Sequence, residues 1–190
     1  MTRLEGREMR SEWLEPSEWL EPWMTGTHGE LDPVRRAVVH SLELAEEDVA
    51  RWCEGLSDAE MFARPGGLAP VAFHLRHMAR SLDRLLTYAE GEALSRDQLE
   101  ALQTEMDVGT AAEVLEEFRE GLRKAKARVR SVAPESFAEA RGVGRKRLPT
   151  TVAGLLIHCA EHTSRHVGQA VLTTKISLVE RRTEAPEPRP

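Results

Sequence analysis

Residues 150–177 read TTVAGLLIHCAEHTSRHVGQAVLTTKIS. Apolar side chains at Val152, Leu155, Leu156, Cys159, Val167, Ala170 and Val171 recur with the spacing of one helix face, and no proline interrupts them. The pattern predicts one long helix, capped by Thr150 and ending near Ser177. Three other helical stretches precede it. Asp32 followed by Pro33 combines a capping side chain with a proline at the first helical position, and apolar positions from Val38 to Trp52 carry that helix to about Leu56. Pro65-Gly66-Gly67 breaks the chain, and Pro70 opens a second helix through Val71, Leu75, Met78, Leu82 and Leu86 that Gly91 ends. A third runs from about Thr110 to Val132. Between the second and third, Ser95-Arg96-Asp97-Gln98 matches a capping box and predicts a short linking helix of about two turns. Almost nothing alternates with period two. The expected fold class is therefore all-α, a four-helix bundle with long connections and a short linking helix. The longest irregular connection, Pro134 to Pro149, holds the cationic cluster Arg141, Arg145, Lys146 and Arg147.

With 190 residues the chain suits one domain and appended segments. Residues 31–177 are assigned to the bundle and residues 1–30 to an N-terminal arm. Residues 178–190 are assigned to a disordered tail, where alternating Pro, Glu and Arg bury too little apolar area to offset ordering entropy. The arm contains a perfect duplication, Ser11-Glu12-Trp13-Leu14-Glu15-Pro16 followed by Ser17-Glu18-Trp19-Leu20-Glu21-Pro22. Six residues are too few for a stacking repeat, so this reads as a local duplication in a tolerant segment, with Trp13, Trp19 and Trp23 as potential anchors. A composition of 41% hydrophobic and 31% charged residues builds an ordinary core, and a formal net charge of −6 excludes a general nucleic-acid coat. The basic cluster is short and lacks interleaved aromatics, so no nucleic-acid partner is expected. No stretch reaches the roughly 18 uninterrupted apolar residues of a membrane span, and MTRLEGREMR is too charged to lead a signal peptide. These features predict a cytoplasmic protein with no membrane partner. Cys53 and Cys159 lie in separate helix-like segments and are read as reduced thiols.

The seven histidines are unevenly spread, since His74, His77, His158, His162 and His166 fall in two short segments. His162 and His166 stand four residues apart on one helix face, about 6 Å from each other, which suits two ligands of one metal ion. A helical wheel aims His166 nearly into the core, places His162 on its shoulder and moves His158 toward the edge. Imidazoles buried without partners cost a few kcal/mol each, and a shared metal would satisfy both. A third ligand must come from elsewhere. The second helix offers His74 and His77, and the wheel mildly prefers His74, which lies nearer the centre of the apolar arc. His28, near the arm's junction with the first helix, is expected to be exposed, and His40 to be an ordinary helix residue.

At these residues the chain resembles the DinB/YfiT-like superfamily of metal-binding four-helix bundles. The carrying segments are PVAFHLRHM at 70–78 and HTSRHVGQ at 162–169, and the likeness covers about residues 30–176. The resemblance implies that one histidine of the second helix joins His162 and His166 around a divalent metal, zinc or nickel, with open coordination. The family position corresponds to His77, which leaves His74 as a neighbour or alternative ligand. His158, Arg80, Glu161, Arg165 and Gln169 are the candidate pocket or supporting residues.

Family members of known activity are similar to thiol-dependent transferases and isomerases. The resemblance therefore implies a metal-dependent enzyme with S-transferase or hydrolase-like activity on a small molecule, and a low-molecular-weight thiol such as bacillithiol or mycothiol as a further cofactor. No catalytic nucleophile or general base stands out by spacing. The rival expectation is a non-catalytic, stress-related helical protein with a structural or vestigial metal, in which the arm contributes to a homodimer.

Overall fold

The computed structural model describes residues 20–184. Each helix start is a local hydrogen-bond solution. The Asp32 carboxylate accepts from the Val34 and Arg35 N–H groups and Pro33 opens α1, Pro33–Trp52. Reciprocal Ser57/Glu60, Ser95/Gln98 and Thr110/Glu113 capping boxes begin α2 (Asp58–Met61), α4 (Arg96–Ala101) and α5 (Ala111–Ser131). Helix α3, Val71–Ala89, follows Pro70 and stops before Gly91, whose φ of +86° ends the helical path. The fold is all-α in its bulk, as the apolar periodicity implies.

Four boundaries differ from the sequence reading, and the first is that α1 ends at Trp52 instead of about Leu56. The connection expected to be irregular carries a two-stranded antiparallel hairpin, β1 (Ala140–Val143) and β2 (Leu148–Thr151). Its strands are too short to show alternation, and the reversal is made by Gly144 and Arg147 in left-handed conformations. Thr151 rather than Thr150 caps the last helix, α6, Val152–Glu184, its hydroxyl accepting from the Gly154 N–H at 3.1 Å. That helix also continues past Ser177. Leu178 packs against the core and Arg181 pairs with Glu60 at 2.5 Å, so the additional turns have partners before Pro186 could break them. Residues 185–190 of the expected tail lie outside the described residues, as do Trp13 and Trp19. Trp23 is 62% exposed, its indole N–H donating to Glu21, whereas Pro22 is buried against α1.

The four long helices form a ring of contacts in which α1 meets α6, α6 meets α3, α3 meets α5, and α5 meets α1. Cross-helix pairs give the directions. Ser41 with Ser164 and Cys53 with Thr174 make α1 and α6 parallel, while His77 with His162 and His74 with His166 make α3 and α6 antiparallel. Arg80 with Glu117 and Asp83 with Arg128 make α3 and α5 parallel neighbours. Parallel neighbours need a connection that travels back along the bundle, and residues 90–110, with α4, make that return. Leu42, Leu75, Met78, Leu82, Phe118, Leu122 and Leu156 fill the shared core. Cys53 and Cys159 are buried free thiols, and burial pushes the Cys159 thiol up to about 12. Among the described residues no helix is long and apolar enough to cross a membrane.

The α3/α5 approach depends on Gly121, where an added Cβ would lie 2.5 Å from Ala79 Cβ and 2.9 Å from its Cα. Alanine there gains about 1 kcal/mol of helix propensity but forces two backbones apart, an overpacking cost of about 1–3 kcal/mol. Because a backbone atom is among those struck, the cost is expected to win. Gly121→Ala should lower the urea midpoint; an unchanged or raised midpoint would show that the helices separate freely here.

Candidate metal centre

The seam between α3 and α6 collects four imidazoles. Antiparallel packing sets His77 opposite His162, with Nε2 to Nε2 at 3.1 Å, and His74 opposite His166, with Nδ1 to Nδ1 at 3.0 Å. One donor atom from each of His77, His162 and His166 lies within 4.8 Å of the other two. Of the two α3 histidines, the one in this group is His77. The wheel nonetheless ranked their burial correctly, since His74 is only 5% exposed and His77 is half-buried. His74 is thus the deeper residue and braces His166 from behind.

A carboxylate orients His77. Its Nδ1 lies 2.7 Å from Glu105 Oε2, and the other Glu105 oxygen takes both terminal nitrogens of Arg84 at 3.2 Å. Burial pushes the Glu105 carboxyl up, but the hydrogen bond and charge of His77 and the charge of Arg84 outweigh it, so the net shift is downward. An ionised carboxylate only accepts, which places a proton on His77 Nδ1 and leaves Nε2 as the nitrogen that faces His162. Arg84 also donates to the Ser81 hydroxyl, which sits 3.4 Å from His77 Nε2. Phe73 closes one side, stacked on His77 at 5.3 Å and edge-on to His74 and His166.

These residues fit a divalent cation. Burial, with the charges of neighbouring histidines, lowers His74, His162 and His166 to about 4, so all three rings are neutral at pH 7 as metal ligation requires. His162 Nδ1 is buried without a hydrogen-bond partner among the described residues, and Nε2 is the nitrogen that faces His77. A cation shared by the two Nε2 atoms would use both lone pairs. Zinc–imidazole bonds of about 2.0–2.1 Å in tetrahedral geometry separate ligand nitrogens by about 3.3 Å, close to the 3.1 Å between the Nε2 atoms of His77 and His162.

The other candidates divide. His158 lies at the rim, its ring 5.6 Å from that of His162 and its Nδ1 3.6 Å from Glu161. Glu161, Arg165 and Gln169 are exposed, and Arg165 still contributes positive potential at His162 and His166. Arg80 does not reach the histidines. It donates to Glu117, Ala101 O and Thr104, and lines a cavity of about 270 Å³ between α3 and α5. The cationic cluster at 141–147 is partly engaged, since Arg141 donates to Ala89 O and pairs with Glu139. Glu105 and Arg84 were not foreseen. Glu105 lies in the return connection with no motif around it, and only the i, i+4 spacing of Arg76, Arg80 and Arg84 hints that α3 holds something acidic or carbonyl-rich on that side.

A family model described as the DinB superfamily matches residues 41–170, a span that takes in all four of these histidines and Glu105. No curated protein matches the chain.

Three depressed histidines give the metal-free protein a defined pH response. In the unfolded chain these rings take up protons near 6.5, whereas in the native state they do so near 4. As pH falls from about 6.5 toward 4 the unfolded state binds more protons, so stability present above that window is progressively lost. Urea midpoints of chelator-treated protein should fall across this range, and less steeply in His74→Asn protein. Identical slopes in the two proteins would contradict the shift assigned to His74.

Proposed function

This chain belongs to the DinB superfamily, and from that membership we propose that it is a metal-dependent enzyme acting on a small molecule, with His77, His162 and His166 as the metal ligands. The observation that carries the reading is the convergence of one donor atom from each of these side chains within 4.8 Å. Neutral imidazoles suit zinc or nickel, and three protein ligands leave room for a further one. When bound, such a metal lowers the pKa of a coordinated thiol or water and so supplies a nucleophile near neutral pH.

The chain's own residues prepare for that chemistry. Glu105 holds the proton on His77 Nδ1 and fixes the ring's direction. Arg84 keeps Glu105 ionised and in place. Phe73 excludes water from one side of the rings. Exposed Arg165, directly before His166, puts positive charge at the mouth, which suits the carboxylates of a low-molecular-weight thiol. Half-buried histidines on an open seam favour a working site over a closed structural one. The proposed reaction is S-transfer from such a thiol, or a hydrolase-like step on a related substrate.

Metal analysis after dialysis against zinc tests the ligand set. His77→Ala with His162→Ala should remove one equivalent per chain and abolish thiol binding at the metal; full retention of both would refute the assignment. A metal that raises the melting temperature yet leaves the protein without thiol binding or turnover would replace the catalytic reading with a structural one. Glu105→Gln keeps an oxygen near His77 but loses the charge. It should weaken zinc affinity by about 10–100-fold in chelator competition while the fold survives. Unchanged affinity would mean that the carboxylate does not orient the ligand.

A further inference from the structure

A second convergence of donors lies where the N-terminal segment meets α1. His40 and Glu43 stand one turn apart on that helix, and His28 comes over them from the loop preceding it. The expectation that His28 is exposed does not hold. His28 is half-buried and His40 is 5% exposed. His28 Nε2 lies 2.8 Å from Glu43 Oε1, the two imidazole rings are 5.3 Å apart, and one donor atom from each of the three side chains falls within 4.8 Å of the others.

The backbone supports this arrangement at a cost. His28 has φ of +58°, a left-handed conformation unfavourable for a residue with a Cβ unless its surroundings hold it there. That conformation accompanies the placement of the His28 ring on α1. Among the described residues, the hydrogen-bond partner of His40 Nε2 is the Thr27 hydroxyl at 3.1 Å, itself 2.8 Å from the Thr25 hydroxyl. Two charged groups face the cluster from outside it. Glu30 approaches His28 Nδ1 at 4.0 Å, and Arg130 of α5 reaches that nitrogen at 3.3 Å and Glu43 at 4.0 Å. Arg130 is one-third exposed, so its guanidinium can leave for solvent.

We propose that His28, His40 and Glu43 form a second divalent metal site of the zinc class, which clasps the segment around His28 to α1. Two imidazoles and one carboxylate are a zinc donor set. The site is separate from the α3/α6 seam, because its ligands come from α1 and the preceding loop. Without metal, Arg130 offsets the Glu43 charge, and His28 Nε2 lies within hydrogen-bond distance of the carboxylate. With metal, the cation takes over that role and Arg130 is displaced.

Zinc per chain, measured after dialysis of the full-length protein, separates this site from the first. The parent should hold two equivalents, and one should remain in His77→Ala/His162→Ala protein. One should also remain in His28→Asn/Glu43→Gln protein, where asparagine tolerates the left-handed backbone and the retained equivalent reports an intact fold. The fourfold variant should hold none. If His28→Asn/Glu43→Gln binds as much zinc as the parent, or His77→Ala/His162→Ala binds none, the second site is refuted and the first stands. If instead His28→Asn/Glu43→Gln binds none while His77→Ala/His162→Ala keeps one, the second site stands and the first falls. In the His77→Ala/His162→Ala background, Arg130→Ala should tighten zinc binding several-fold; unchanged or weaker binding would overturn the displacement that the clasp requires.

Discussion

An imidazole nitrogen taken out of water needs a partner, and at the α3/α6 seam the nearest partners are other imidazoles. His74 meets His166, and His77 meets His162. Rings that face one another while half-buried cannot all be protonated, so desolvation and mutual charge hold three of them neutral. The remaining one, His77, is tied to an ionised glutamate. The donor atoms of His77, His162 and His166 lie within 4.8 Å of one another, as a shared cation would need, and the two long helices are the scaffold that keeps them aligned.

The chain direction explains where the carboxylate comes from. Because α3 and α5 are parallel neighbours, the segment between them must run back along the bundle. Arg76 and Arg80 bind backbone carbonyls of that segment, at Asp107 and Ala101, and Arg84 binds Glu105. Three arginines spaced four apart on α3 thus fasten the return connection. The topology of the bundle and the orientation of a candidate metal ligand rest on the same set of side chains.

Family membership transfers unevenly across these levels. It bears directly on the helix order and on the histidines that lie in the matched span, and much less on the reaction, since one scaffold can host different chemistry. A second cluster lies at α1, where His40 and Glu43 receive His28 from the loop and Arg130 joins from α5, with His28 and His40 outside the matched span.

Much of the fold was legible because its determinants are local. Capping residues at Asp32 and Ser95 start their helices as the sequence indicates, and the 3.6-residue period identifies the buried faces. The hairpin was not legible, because four-residue strands are shorter than the pattern that reveals strands. His162 and His166 were legible as a pair through their i, i+4 spacing alone. The preference for His77 over His74 came from the family resemblance and not from the helical wheel, which measures depth, and His74 is the deeper of the two. Glu105 and the contact between His28 and Glu43 were invisible for a different reason. Local periodicity and capping are written within a few residues, whereas a carboxylate reaching a histidine 28 positions away, or a loop imidazole reaching a glutamate 15 positions on, depends on how the chain returns upon itself. Only the packed structure decides that.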